Sequence, residues 1–508
     1  MNVRSEASRS LWMETARVRD AHAIDSSHRV EVIVIGAGIA GLSVAYEVAR
    51  AGKSVVVVDR GALGGGMTAR TTAHLSSAID DGFDSYRRLR GRDEARAYFD
   101  SQSAAISRIE AIIRDEGIDC DFSRVDGYLV LAEGQGRDVL ERELAACHDI
   151  GFLDVAYASP PMWAGEERPA LRFPHQGRFH PLKYLDGLIG AIEARGGKLF
   201  AHSPVVDVAE QGGEVVVSTS AGHTLRARAA VVATNSPIND RFALHTKQAP
   251  YRTYAFAAPI DDASGVVDAL YWDTEDPYHY VRFQPRAEGG WWLISGGEDH
   301  KSGGPTEWET RFQRLEAWTR ARFPGMGEPA HRWSGQVMEP VDAAPFIGLN
   351  PGNKAVYVST ADSGEGITTG VVAGMLLGDL VLGKPNGWAR TYAPNRKTLR
   401  AVGQYISENA TVAANITEHV RGGDVGAFDA IAPGQGAVVR QGLKKVAAYR
   451  DPAGALHLRS AVCTHASCIV HWNDFETCWD CPCHGSQFSV DGRVLNGPAT
   501  MPLPAHKV

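Results

Sequence analysis

Apolar residues dominate Val30 to Ile35, give way to glycines at Gly36, Gly38 and Gly41, and then recur with helical spacing to about Ala51. A second apolar run, Ser54 to Val58, ends in Asp59. Strand, glycine turn, helix and strand in that order predict one βαβ unit. Further along, Val215 to Thr219 and Thr224 to Arg228 read as strands. They are followed by a buried strand from Ala229 that ends in the polar turn Thr234-Asn235. Ala355 to Thr360 is another strand, leading through Asp362, Gly364 and Gly366 into a Gly/Ala/Leu-rich helix from Ile367 to about Leu382.

Runs of a different character lie between these. Tyr251 to Pro259, Tyr278 to Gln284 and Trp291 to Ser295 are rich in aromatic and β-branched residues, which predicts a second sheet interleaved with the first domain. A helical stretch is expected from Asn386 to His419, with Pro385 and Pro394 at its start and Arg421-Gly-Gly423 as a break. The resulting division is an extension over 1–29, a first domain over 30–385, a helical linker over 386–425 that fixes the distance between the reactive centres, and a last domain over 426–508.

With 508 residues, 44% hydrophobic and 22% charged, the chain can bury two or three cores. A net charge of -8 argues against nucleic acid as a partner and suits a neutral or basic redox protein. Met1 to Arg29 has no apolar core of the kind a signal peptide carries. The apolar segment Val371 to Leu382 is interrupted by Asp379 and too short to span a bilayer, so a cytoplasmic protein without a membrane span is expected.

The βαβ unit carries the first chemistry. Its glycines let backbone amides and a helix N-terminus approach a pyrophosphate, and Asp59, about twenty residues on, is placed to accept from adenosine ribose hydroxyls. That fingerprint alone does not choose between FAD and NAD.

The second chemistry is in the last domain, where Cys463 and His465 sit in CTHASC and Cys481 and His484 in CPCHGS. Two cysteines and two histidines are the ligand set of a Rieske 2Fe-2S centre, thiolates on one iron and imidazoles on the other. Structural zinc uses the same donors but favours a close cysteine pair followed by a histidine pair, whereas here Cys and His alternate in two loops. These motifs resemble the Rieske iron-sulfur proteins of cytochrome bc complexes. The resemblance implies that Cys463, His465, Cys481 and His484 ligate the cluster, that Cys468 and Cys483 form a disulfide, and that Ser486 donates a hydrogen bond to cluster sulfur. The tyrosine of that family is Phe488 here, which implies a lowered potential. Gly497-Pro498-Ala499 looks like the loop that covers the cluster, and equally reads as an ordinary turn. Cys478 has no counterpart in the family and reads as a free surface thiol, and Cys120 and Cys147 read as core residues.

Taken with the late strand and glycine-rich helix, residues 30 to 385 resemble the glycine and D-amino acid oxidase family of flavoproteins. That implies an α/β FAD-binding Rossmann-like domain of the glutathione-reductase type with an interleaved mixed-sheet substrate domain, followed by an all-β Rieske domain. FAD contacts are then expected at Gly36, Gly38, Gly41, Asp59, Gly66, Thr234, Gly364, Gly366 and Thr368. Such flavoproteins hold a substrate carboxylate or amine with Arg or Tyr from the substrate sheet, which singles out Arg252, Tyr254, Tyr280 and Arg282. Residues paired with acids on a sheet surface would look the same. His74 lies where the family's loop passes the flavin, a place from which to orient substrate or link covalently to the flavin, and as a plain loop histidine it would need neither role. The joint arrangement is similar to a bacterial family that fuses the two domains, and Ser10-Leu-Trp12 and Gly296 to Lys301 fit it.

The expectation is an FAD-dependent dehydrogenase of a small amine- or amino-acid-like substrate that passes electrons singly through the cluster to an external carrier, such as a ferredoxin, a cytochrome or a quinone-linked protein. Reverse flow driving a reductase or monooxygenase is one alternative. A redox-sensing module without an organic substrate is another.

Overall fold

The computed structural model describes residues 6–165, 168–239, 244–260, 265–398, 401, 403, 405, 415, 418–419 and 421–506. An eight-stranded sheet runs in the order Phe346–Leu349, Val356–Thr360, Thr224–Val232, His28–Ile35, Val55–Val58, Lys198–Phe200, with Glu214–Thr219 and Val205–Gln211 attached through Thr224–Val232. The five strands from Val356–Thr360 to Lys198–Phe200 are parallel, and all four residues of Val55–Val58 are buried. Parallel neighbours need a crossover, and Ile39–Arg50 supplies the first, completing the predicted βαβ unit. One expectation is revised. Thr224 to Arg228 and the strand from Ala229 are a single strand, because their pairing with His28–Ile35 continues from Leu225 to Val232.

The late helix, Gly366–Val381, lies directly on Ile39–Arg50. A Cβ at Gly370 would stand 2.7 Å from Ile39 Cγ2, one at Gly374 2.5 Å from Ser43 Cβ, and one at Gly378 2.8 Å from Glu47 Cβ. Glycine at every fourth position therefore clears one helix face for its neighbour. The packing brings both helix N-termini to one cavity.

A nine-stranded mixed sheet forms the other wall, in the order His331–Pro340, Gln248–Ile260, Trp291–Lys301, His279–Pro285, Ala269–Asp273, Ser123–Val130, Ala170–Arg178, His74–Leu75, with Ala156–Ala158 attached through Ala170–Arg178. The predicted strand from Trp291 does not stop at Ser295 but crosses Gly296 and Gly297 to Lys301. Glycine is required there, since a Cβ on Gly296 would meet the Tyr280 ring at 2.4 Å.

Two small antiparallel sheets make the last domain, Gly436–Gln441, Lys444–Arg450 and Leu456–Ser460 in one, and His471–Asn473, Cys478–Asp480, Gln487–Ser489 and Val494–Asn496 in the other. The expected linker helix is not found over 386–398, which forms turns, one of them closed by the Asn386 side chain accepting from the Trp388 amide. Most of 399–420 lies outside the described residues. No helix among the described residues is long and apolar enough to cross a membrane.

Candidate functional site

The cavity runs between the two large sheets, from Asp59 past Thr234 and Gly366 to Trp272, Tyr278 and Tyr280. At one end Gly36 has φ 108°, and a Cβ there would lie 2.2 Å from the Ala233 carbonyl oxygen. At Gly41 a Cβ would stand 1.9 Å from the Gly36 carbonyl oxygen, so the helix can meet the strand only without a side chain. Asp59 accepts from the amides of Ala37 at 2.7 Å and Gly61 at 2.8 Å, which fixes its carboxylate beside the glycine turn. Gly38, Gly66, Thr68, Thr234, Gly364, Gly366 and Thr368 all line the same cavity. A bare backbone turn, two helix N-termini and an acid at the second strand's end fit a dinucleotide such as FAD.

In the last domain, Cys463 and Cys481 are buried and hydrogen-bonded to each other. The bond from Cys481, with the amides of His465 and Ala466, holds the Cys463 thiol down to about 7. The rings of His465 and His484 stand 5.0 Å apart. Burial, then the neighbouring His245 and His465, hold His484 down to about 3, so it is the neutral, metal-binding form at physiological pH. The Ser486 hydroxyl bonds to the Cys463 sulfur and accepts from the Ala499 amide at 3.0 Å. A disulfide joins Cys468 to Cys483 across the two loops, with Cα atoms 6.5 Å apart. Two thiols, two imidazoles and sulfur-directed amides in one buried pocket fit a 2Fe-2S cluster with its hydrogen-bonding shell.

Comparison with known proteins agrees in both halves. The family described as FAD dependent oxidoreductase matches residues 31–380, and the Rieske [2Fe-2S] domain matches residues 423–507. The chain belongs to the FAD dependent oxidoreductase family and carries a Rieske domain. It is 30% identical over 501 residues to YhfW of Bacillus subtilis, named as a Rieske 2Fe-2S iron-sulfur protein, covering 98% of this chain and 97% of that one. It is 24% identical to the gamma-glutamylputrescine oxidoreductase of Escherichia coli, over 71% of this chain and 85% of the relative. Glycine oxidase from Geobacillus kaustophilus shares the fold, with a TM-score of 0.61, 19% identity, 73% of this chain and 100% of that one. The protein is thus an oxidoreductase whose cofactors are FAD and a 2Fe-2S cluster.

The Rieske domain is docked against the flavin cavity. Gln336, in the cavity wall, donates to the Gly485 carbonyl at 2.9 Å, and Ser236 donates to the His484 carbonyl at 3.4 Å. Gly497 of the domain itself lines the cavity. His245, on the flavin side, packs its ring 4.7 Å from that of His465 and 5.2 Å from that of His484. Nothing in the sequence around His245 marks it. Only the fold brings it to the cluster loops. This direct contact holds the cluster loops beside the flavin cavity.

Three candidate substrate residues are elsewhere. Thr253 and Ala255 face the cavity, so strand alternation turns Arg252 and Tyr254 to the opposite face. There Arg252 is fully buried against Asp480 of the Rieske domain at 3.0 Å, and Tyr254 packs on Phe312 and Phe475. Arg282 donates to the carbonyls of Ala73 at 2.7 Å and Phe179 at 3.0 Å and lies over Trp12, beneath the cavity wall. Tyr280 and His74 do line the cavity, in edge contact at 5.2 Å. Burial and Arg282 hold His74 down to about 3, so it is neutral. Cys478 is not a surface thiol. It is fully buried at the domain interface beside Asp480, while Cys120 and Cys147 are buried in the core as expected.

Proposed function

We propose that the protein is a dehydrogenase that oxidises a small amine-like substrate at the carbon next to nitrogen and delivers the electrons singly, through the Rieske domain, to an external carrier. FAD, when bound, accepts a hydride and releases its two electrons one at a time. In this reading Gly36, Gly38, Gly41, Asp59, Gly66, Thr234, Gly364, Gly366 and Thr368 hold the dinucleotide, and Cys463, His465, Cys481 and His484 hold the cluster. Trp272, Tyr278 and Tyr280 enclose the substrate. The observation that carries the reading is the docking of His484 and Gly485 on Ser236 and Gln336, because the imidazole side of the cluster loops then faces the flavin cavity. An oxidase would need no such neighbour. The names of the E. coli and Geobacillus relatives support an amine or amino acid as substrate.

The test is His465→Ala. Flavin bleaching by substrate should survive, and turnover with a one-electron acceptor should fall severely. Wild-type turnover in the cluster-free variant would refute the relay.

A further inference from the structure

Carboxylates gather at the sheet end of the cavity. Asp80, Asp362 and Glu365 line it, with Asp80 exposed toward it and accepting from the Tyr278 hydroxyl at 3.4 Å. Asp299 and Glu339 stand close enough to repel Asp80, and Glu339 accepts from Ser363 at 2.8 Å. Glu365 is only 9% exposed. One of its oxygens accepts from Tyr98 at 2.6 Å, and the other, fully buried, has no hydrogen-bond partner, the Asp80 amide being outside bonding geometry.

No cation answers these acids from the cavity wall. The cationic side chains among its described lining residues are Arg60, beside Asp59 at the dinucleotide end, and Arg70, engaged by Glu6, Glu476, Ser8 and the Ser334 carbonyl. Arg252 and Arg282, which could have met a substrate carboxylate, are turned away. Trp272 and Tyr280 face each other across adjacent strands, and the Tyr278 ring stands 5.6 Å from that of Tyr280. Aromatic faces beside carboxylates are the chemistry that recognises an ammonium group.

We propose that the substrate site selects an organic cation that has no carboxylate, an alkylamine and not an α-amino acid, with Asp80 and Glu365 as the groups that receive its positive charge. The cation supplies the missing partner of Glu365 and favours the charged form of acids that burial otherwise pushes toward the neutral form. A carboxylate in the same place would repel them.

This rests on the amine-dehydrogenase reading but is tested apart from it, by binding to the oxidised holoprotein. Butyltrimethylammonium, whose nitrogen has no free electron pair, and butyrate are titrated while the flavin absorption band is followed. The cation should shift the band and butyrate should not. Asp80→Asn and Glu365→Gln, both close in shape to the native residue, should each weaken the cation roughly tenfold through the loss of one attraction between unlike charges, the probe having no N–H to donate. Tighter binding of butyrate or glycine, or unchanged cation affinity in both variants, would overturn the proposal. Cation binding together with a flavin that no amine bleaches would uphold this site and count only against the direction of electron flow.

Discussion

Asp480→Asn should undock the Rieske domain, and Glu6→Gln should not, although both residues belong to one buried ionic cluster. Two arginines, Arg70 and Arg252, face three carboxylates there, Glu6, Glu476 and Asp480, all essentially without solvent contact. One negative charge is in excess. Burial raises Asp480 and Glu476, but for Asp480 the Arg252 charge and for Glu476 the charges of Arg70 and Arg252 outweigh it, so both stay ionised. Glu6 is pushed up to about 7 by its burial and is the member that holds a proton most readily. Asp480→Asn leaves Arg252 without its 3.0 Å partner, a loss of about 3–5 kcal/mol for a buried pair broken on one side. Glu6 is about half ionised near neutral pH, so Glu6→Gln, which keeps an acceptor for Gln487 but weakens the 2.9 Å pair with Arg70, should cost less than Asp480→Asn, about 1–2 kcal/mol. Because Glu6 is raised above its unfolded value, its contribution is full below that value and lost as pH rises through about 7, so Glu6→Gln should compare best with the wild type above that point. The assay is thermal unfolding followed by visible circular dichroism for the cluster domain and by flavin fluorescence for the other. Coincident transitions in wild type and Glu6→Gln, and separated ones in Asp480→Asn, are expected. Equal damage from the two substitutions, or none from Asp480→Asn, would refute this account of the interface.

Gly36→Ala should abolish flavin retention while leaving the Rieske spectrum, since its Cβ would stand 2.2 Å from the Ala233 oxygen at a φ of 108°; a flavin-replete variant counts against the glycine argument. Ser486→Ala should lower the cluster potential by removing a hydrogen bond to Cys463, and Phe488→Tyr should raise it, because Phe488 is buried in the same packed group as Cys463 and Cys481. Unchanged midpoints in redox titration would show that neither side chain tunes the cluster. Desolvation within the cavity that Asp80 faces, then Asp81 and Asp299, lifts it to about 7, among neighbours Tyr278, Glu339 and Glu365. A carboxyl gains its charge above that value, so butyltrimethylammonium should bind more tightly at about pH 8 than at about pH 6, and a flat profile would contradict the role of Asp80.

Both domains were legible from local pattern because their motifs are local. The glycine turn needs neighbouring residues to clear a backbone, and the cluster loops pack ligands two and three positions apart. The substrate wall was not legible, for two physical reasons. Strand alternation gives two faces but not which one is inward, and at Arg252 and Tyr254 the inward face belongs to Thr253 and Ala255. Long-range docking also leaves no trace along the chain: the Arg252 to Asp480 pair spans 228 positions and the Gln336 to Gly485 bond 149. The same holds for His245, and for Cys478, whose burial comes from the interface and not from its own strand. Gly296-Gly297 read as a stop because the sequence does not reveal the Tyr280 ring that fills the space above them.

The central claim is that electrons pass between the flavin and the docked cluster within one chain. Anaerobic mixing of the oxidised holoprotein with a small amine that bleaches the flavin, followed by freeze-quench electron spin resonance, tests it most directly. The account predicts that the Rieske signal of the reduced cluster rises at the expense of flavin reduction within the same turnover, in wild type but not in His465→Ala. A fully bleached flavin beside a cluster that stays oxidised would contradict it.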